Sequence, residues 1–393
     1  MTAVLILSFL LFACYAGLLL IYRRGWRSIP NFEASAVPFS PTVKISVIIP
    51  ARNEEANIWS CIDSILAQSY PKELYEIIVV DDHSTDDTAT IIQGFDDSQI
   101  KYLDLSKFID QPLNSYKKKA IEVGVQHASG ELIITTDADC MAGPDWLLTY
   151  AAFYQTNNPV FIAAPVSINC SMRFIELFQA LDFMTLQGIT GASVHRKMHN
   201  MCNGANLAYT KKAFETVGGF TGIDNLASGD DMLLMHKIHL AYRGNLMFMK
   251  SKAAIVKTAP VKTISEFFNQ RIRWASKADK YDDKRIFVVL LLVYLLNLLL
   301  LVLPVLAIFF GQSYVVRLYP VTVVISFFEL WLLLLISKTL FELYFLMPVA
   351  KFFRMRSMLF LFPLMQPLHI IYTVITGFLG KFGSYHWKDR KVK

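Results

Sequence analysis

Leu132-Ile133-Ile134-Thr135-Thr136-Asp137-Ala138-Asp139 is a short apolar run that ends in two acids. Continuous β-branched and apolar residues over so few positions predict a strand covered on both faces, as in a parallel sheet. Two earlier stretches have the same form: Lys44–Pro50 (KISVIIP) and Tyr75–Asp82 (YEIIVVDD), the second again ending in acids. Between them, Glu54–Gln68 carries Ile58, Ile62, Ile65 and Leu66 at helical spacing, and a further helix is expected to begin near Asp86. Strands alternating with helices predict an α/β fold with a doubly wound, mostly parallel sheet. Ligands of such sheets bind beyond the carboxyl ends of the strands, here marked by Arg52, Asp81, Asp82, Asp137 and Asp139.

Outward from this core the chain becomes apolar. Hydrophobic residues make up 54% of the 393 positions and charged residues only 18%, which excludes a disordered chain or a disulfide scaffold. Val4–Tyr22 is long enough to cross a bilayer, and Arg23, Arg24 and Arg27 follow it. With no basic residues before the run, an uncleaved anchor is favoured over a signal peptide, and the positive-inside bias puts the middle of the chain in the cytoplasm. Ile286–Phe310, Val315–Ile336 and Met358–Leu379 are three further candidate spans, the first two joined at Gly311-Gln312-Ser313. Thr339–Ala350 is too short to cross and reads as an interfacial helix beside Lys338 and Glu342. Three C-terminal spans would leave the tail, with five basic residues from Lys381 to Lys393, outside. A re-entrant last span, or a deeper 339–350 piece, would reconcile this with the charge bias.

The resulting organisation is an anchor over 1–24, a proline-rich linker over 25–43 and a cytoplasmic domain over 44–260. An interfacial helix over 261–285, a membrane region over 286–380 and a basic tail over 381–393 follow. The net charge of +6 comes without a basic stripe, so nucleic acid is not an expected partner. Five scattered cysteines with no C-x-x-C pair suit reduced thiols.

Two carboxylates at alternate strand positions, Asp137 and Asp139, would face one side of the sheet edge. Mg²⁺ or Mn²⁺ commonly takes one or two carboxylates and completes its shell from substrate phosphates. Asp81-Asp82 suits either a nucleotide contact or the cap of the following helix. Asp230-Asp231 precedes an apolar helical stretch, Met232–Leu240, and suits either a general base or helix N-terminal acids. In Gln270-Arg271-Ile272-Arg273-Trp274, helical spacing puts Gln270, Arg273 and Trp274 on one face. An indole can stack on a sugar or base and a guanidinium can bind a diphosphate, although Trp and Arg also anchor membrane borders. His195 and His199 are four apart but lack a third ligand nearby, so they are expected to be solvated. No glycine-rich dinucleotide or Walker loop is present.

Six segments in order resemble the membrane-embedded family-2 glycosyltransferases, the group of cellulose, hyaluronan and poly-N-acetylglucosamine synthases. They are Val47–Glu55 (VIIPARNEE), Val79–Thr88 (VVDDHSTDDT), Thr136–Cys140 (TDADC), Gly204–Tyr209 (GANLAY), Gly229–Asp231 (GDD) and Gln270–Trp274 (QRIRW). The resemblance implies a GT-A-like domain flanked by transmembrane helices in a bacterial inner membrane. It implies a nucleotide-sugar pocket with Arg52, Glu54 and Asp82 at the base, and Asp137 near the ribose and diphosphate. Asp139 would be the metal ligand for Mg²⁺ or Mn²⁺. Lys117 would match the family's phosphate lysine, with Tyr116 where the family has glycine. Asp231 matches the catalytic base, with Asp230 where Glu is common, and Gln270, Arg273 and Trp274 match the motif for the diphosphate and acceptor.

The implied reaction moves a sugar with inversion from a nucleotide-sugar, of UDP type, to a glycan or lipid-linked acceptor, processively in the polymer-extending members that carry the QRIRW pattern, with membrane lipids around it and export subunits as further partners. Transfer of a single sugar to a polyprenyl phosphate, glycerolipid or carotenoid is the alternative within the class. An inactive sugar-nucleotide-binding subunit is the alternative outside it.

Overall fold

The computed structural model describes residues 2–226, 229–277, 283–311, 313–318, 321–382, 385–387 and 390–392. Two compact units emerge. One comprises residues 1–27 and 261–386, the other residues 28–260 with 387–392.

The chain begins with α1 (Thr2–Ser28), which belongs to the first unit. The second unit holds the expected α/β domain: in chain order β1 (Ile45–Ala51), α2 (Ile58–Leu66), β2 (Tyr75–Asp81), α3 (Thr88–Gln93), β3 (Ile100–Asp104), α4 (Tyr116–His127) and β4 (Leu132–Thr135). Next come β5 (Cys140–Met141), α5 (Trp146–Asn157), β6 (Phe161–Ala163), β7 (Val166–Ile168), α6 (Phe174–Arg196), β8 (Leu207–Thr210) and α7 (Lys211–Thr216). The domain closes with α8 (Met232–Ala241), β9 (Leu246–Phe248) and β10 (Val256–Thr258).

The main sheet has seven strands in the order β3-β2-β1-β4-β8-β6-β9. Strands β3, β2, β1 and β4 pair in parallel, β8 runs against both β4 and β6, and β9 is parallel to β6. The expectation of a mostly parallel α/β sheet therefore holds, with one reversed strand. Val47, Ile48, Ile49, Ile77, Ile78, Val79, Ile133 and Ile134 are fully buried, which explains why these segments read as unbroken apolar runs. A smaller sheet, β5-β10-β7, lies beyond the end of β4.

Polar groups inside this sheet fix its register. Glu76 Oε1 accepts from Ser46 Oγ at 2.6 Å, Ser129 N at 2.6 Å and Ser129 Oγ at 2.7 Å, while Oε2 pairs with Lys101. Burial opposes its charge, but the Lys101, Ser46 and Ser129 donors draw the carboxyl down to about 2. At Gly130 an added Cβ would lie 2.5 Å from the backbone nitrogen of Ser46, so β4 can start beside β1 only with glycine there.

The first unit contains α1, α9 (Ile264–Ala275), α10 (Lys284–Phe309), β11 (Tyr314–Leu318), β12 (Val321–Ile325), α11 (Phe327–Phe353) and α12 (Phe362–Phe382). Four helices, Thr2–Ser28, Lys284–Phe309, Phe327–Phe353 and Arg356–Phe382, are long and apolar enough to cross a bilayer. Two expectations need correction. Val315–Ile336 is not a helical span, because its β-branched first half pairs as the hairpin β11–β12. Thr339–Ala350 is not a separate interfacial helix but the second half of α11, which starts at a Ser326/Glu329 capping box.

Lys338 and Glu342, which suggested a water-facing surface, are buried instead. Lys338 Nζ contacts Glu342 Oε1 and Gln366 Oε1, each at 2.7 Å; Gln366 Nε2 and the Tyr15 hydroxyl both donate to Glu342. Opposite charges and matched hydrogen bonds make this cluster tolerable among apolar helices, and it joins α1, α11 and α12. Within the expected segments, Gln312 of the turn, 278–282 of the 261–285 piece and 383–384, 388–389 and 393 of the tail lie outside the described residues. Lys381 itself ends α12.

Candidate active site

At the carboxyl ends of β1 and β2, two loops are laced together. Arg52 Nη1 donates to the carbonyls of Asp82 (2.7 Å) and His83 (3.1 Å). Asn53 N reaches Ser84 Oγ, Glu54 N reaches Thr88 Oγ1 at 2.7 Å, and Asp87 N returns to Glu55 Oε2. The neighbouring loop thus holds Glu54 and Glu55, and α2 begins at Ile58 rather than Glu54. Asp82 is buried, its amide bonded to Ala51 O and its Oδ1 3.0 Å from His83 Nδ1. Asp81 accepts from Ser84 N, and burial pushes its carboxyl up. The helix cap belongs to neither acid, since α3 begins after Asp87.

Beyond β4 the chain turns. The strand ends at Thr135, and a bond from Cys140 N to Asp137 O (3.1 Å) closes the turn that holds Asp137 and Asp139. The strand-alternation argument for a shared face therefore does not apply: the turn, not the pleat, positions the two acids. Asp139 Oδ2 accepts from Thr258 Oγ1 of β10 at 3.1 Å. Burial, then the charges of Asp137 and Glu54, raise the Asp139 carboxyl above the usual range. This is a donor set that a divalent cation relieves: a desolvated carboxylate with a second one nearby. Among the described residues no group of three or more acids, histidines or cysteines forms a complete cage.

Lys117, on the first turn of α4, joins this turn to a distant loop. Its Nζ lies 2.7 Å from Asp137 Oδ1 and 3.1 Å from Asp230 Oδ2. Burial alone would lower the ammonium's proton affinity, but Asp137, Asp230 and Asp231 hold it charged, well above the ordinary lysine value. Asp231 caps α8, with Oδ1 accepting its own helix's Met232 N at 2.7 Å and Oδ2 accepting Gly204 N at 3.2 Å. A Cβ on Gly204 would meet Asp230 Oδ2 at 3.2 Å and Lys117 Nζ at 3.4 Å, so a side chain there would crowd the cluster. The neighbouring Lys118 is buried and donates to the carbonyls of Ile223 (2.6 Å) and Leu226 (2.8 Å), anchoring the loop that leads towards Asp230.

Gln270, Arg273 and Trp274 belong to the first unit, on α9, whose capping box is Thr263 and Glu266. Arg271, absent from the expected set, is buried there with its guanidinium 4.8 Å from the Phe267 ring centroid and 4.2 Å from that of Trp274, and it donates to Gln270 Oε1.

Thus Lys117, Asp137, Asp230 and Asp231 share one cluster, Asp139 and Glu54 interact with its edge, and Arg52 and Asp82 form the adjoining clasp. Sequence reasoning missed Thr258 and Lys118: a lone threonine on a three-residue strand, and a lysine beside another lysine, carry no distinguishing pattern. His199, expected in solvent, is buried, its Nε2 3.0 Å from Ser193 Oγ.

A family model described as glycosyl transferase family 2 matches residues 46–218, from the first strand of the domain through the segment after β8. Residues 46–218 are a family 2 glycosyltransferase domain. Chains similar to this one include the probable glycosyltransferase YdaM of Bacillus subtilis, 27% identical over 65% of this chain and 61% of its own. Another is the poly-beta-1,6-N-acetyl-D-glucosamine synthase of Staphylococcus epidermidis, 26% identical over 59% of this chain and 53% of its own. The chain thus spans about half to three-fifths of the length of these curated relatives. Among solved structures, the mannosyltransferase PcManGT of Pyrobaculum calidifontis aligns with a TM-score of 0.57 and 20% identity, over 92% of this chain and 98% of that one. That likeness supports the GT-A-like glycosyltransferase fold.

Proposed function

We propose that this glycosyltransferase moves a hexose with inversion from a nucleoside diphosphate sugar, of UDP type, to a glycan or lipid-linked acceptor at the cytoplasmic face of a membrane. The observation that carries the reading is the Lys117 bridge. One ammonium links Asp137 of the turn after β4 to Asp230 of the loop before α8, while Gly204 N holds Asp231 beside them. Three motifs far apart in the chain thereby meet at one point. PcManGT, of the same fold, was solved with GDP-Man and Mn²⁺.

In this reading Arg52, Asp82 and Glu54 hold the nucleoside end. Asp137 faces the ribose and diphosphate, and Lys117 is close enough to exchange a carboxylate for a phosphate oxygen. Asp139, with Asp137, would hold a divalent cation, which supplies charge neutralisation for the departing diphosphate. Asp231 accepts the proton of the attacking hydroxyl, its carboxylate fixed by two backbone N–H groups. Asp230 is distinguished from it by its ion pair with Lys117, which suits an electrostatic role better than proton transfer. For Gln270, Arg273 and Trp274, on α9 of the first unit, the motif resemblance alone implies a role towards the diphosphate and acceptor. The rate gain then comes from positioning and from charge stabilisation of the leaving group.

A screen of UDP- and GDP-sugars in membranes, with and without Mn²⁺, followed by product mass, tests the reading. Metal-dependent nucleoside diphosphate release with a hexose added to an acceptor is expected. No release from any donor would overturn it.

A further inference from the structure

His83 follows Asp82 at the end of β2, and its backbone lies in the left-handed region with φ +54°. A side chain there clashes with the backbone, and glycine alone is free of that cost. The loop does not need an imidazole to take this shape. It is held through main-chain groups, with Arg52 on the carbonyls of Asp82 and His83, and through Asn53, Ser84 and Thr88. Asn53, the other left-handed residue of the clasp, does use its side chain for the fold, since its Oδ1 accepts from Thr85 N at 2.9 Å. The His83 ring instead turns to the site: Nδ1 lies 3.0 Å from Asp82 Oδ1, and the ring packs edge-to-face against Tyr116 with centroids 5.5 Å apart. Tyr116 immediately precedes the bridging Lys117 on α4. The imidazole therefore sits between Asp82 of the clasp and Tyr116 of α4, with its side chain 38% exposed, accessible to a ligand.

We propose that His83 is a nucleobase-recognising residue, which orients the Asp82 carboxylate and adds its own Nε2 to base readout. This rests on the reading of the clasp as the nucleoside end of the donor site. With a carboxylate on Nδ1, the proton of the neutral ring sits on Nδ1 and Nε2 becomes an acceptor. Asp82 and His83 together then present acceptors only. They suit a base with a ring N–H at its pairing edge, uracil or guanine, and disfavour cytosine and adenine, whose ring nitrogen there is itself an acceptor. Tyr116, edge-on to the imidazole, extends the aromatic surface beside the base.

The test uses the detergent-solubilised full chain with Mn²⁺, measuring binding of UDP, CDP, GDP, ADP and pyrophosphate to wild type and to His83→Gly. Removing the strain should leave thermal stability unchanged or raised. Affinity for the preferred one of UDP and GDP should fall about tenfold, the scale of one lost hydrogen bond and ring contact. Its advantage over CDP or ADP should shrink, while pyrophosphate binds as before. His83→Asn, which also tolerates the left-handed backbone, should give the same pattern and serves if the glycine variant does not fold. Unchanged nucleotide affinity in a stable variant overturns the inference alone, as does an equal loss of pyrophosphate binding or a lowered melting temperature. A wild type that binds none of the nucleotides overturns the inference together with the donor-site reading.

Discussion

Asp231→Asn removes one charge and almost no volume, so it separates proton transfer from architecture. The aspartate accepts from Met232 N at 2.7 Å and from Gly204 N at 3.2 Å. Asparagine keeps one acceptor, and its amide nitrogen must then face the other backbone N–H. The structural loss is thus one charge-assisted hydrogen bond, about 2 kcal/mol, which lowers the melting temperature by a few degrees without unfolding the domain. The chemical loss is larger. Without a base, turnover should fall about 10²- to 10⁴-fold, equivalent to roughly 3–5 kcal/mol of barrier. Nucleoside diphosphate affinity should change little, because the Asp231 carboxylate is bonded to Met232 N and Gly204 N and is assigned no role at the nucleoside end. The assay is initial-rate product formation under saturating donor, paired with nucleotide binding on the same preparation. A folded variant that retains turnover within fivefold of wild type would refute Asp231 as the base. Asp230→Asn with the deeper loss would move the role to its neighbour.

Four other outcomes follow from the geometry. Glu76→Gln should destabilise the α/β domain by about 2 kcal/mol at pH 7, after allowing for the half-exposed Lys101. Since the native carboxyl is drawn down to about 2 from 4.5, that stabilisation is complete above the unfolded value and disappears as pH falls from about 4.5 towards 2, which denaturation at stepped pH will show. Lys117→Met leaves Asp137 and Asp230 without their cation; it should cost about 2 kcal/mol, partly restored by Mn²⁺ in a thermal-shift assay. The raised Asp139 carboxyl stabilises the metal-free fold most at low pH and less as pH rises through its native range, so Mn²⁺ should raise the melting temperature more at pH 8 than at pH 5, and Asp139→Asn should abolish the difference. In the first unit, Lys338→Met strands Glu342 and should destabilise by about 3 kcal/mol, whereas the double change with Glu342→Leu should be milder, measured by unfolding in detergent.

The α/β core was legible because strands buried on both faces leave runs such as Val47–Ile49 and Ile77–Val80, and acids at their ends stand out against them. The reversed β8 was not, since Leu207–Thr210 has no pattern that encodes direction. Asp137 and Asp139 were found by a spacing argument whose premise failed: the chain leaves the strand before reaching them, and hydrogen bonds across the turn take over. The membrane half was the harder text. Hydropathy locates greasy residues but does not separate a β-branched hairpin from a helix, and a lysine beside a glutamate looks water-facing until Gln366 and Tyr15 arrive from elsewhere. Arg271 was hidden for a similar reason, as an arginine between two rings reads in sequence as a surface charge.

The Tyr15–Glu342 contact also dictates a schedule. Its partners are 327 residues apart, so at about 5 to 20 residues per second the first helix waits roughly 16 to 65 s before the carboxylate that receives its phenol is made. During that interval the whole α/β domain emerges from the ribosome. A gene split after the α/β domain would therefore yield two fragments that each carry half of a bond, and co-expression of the halves should succeed only where the two helices can find one another.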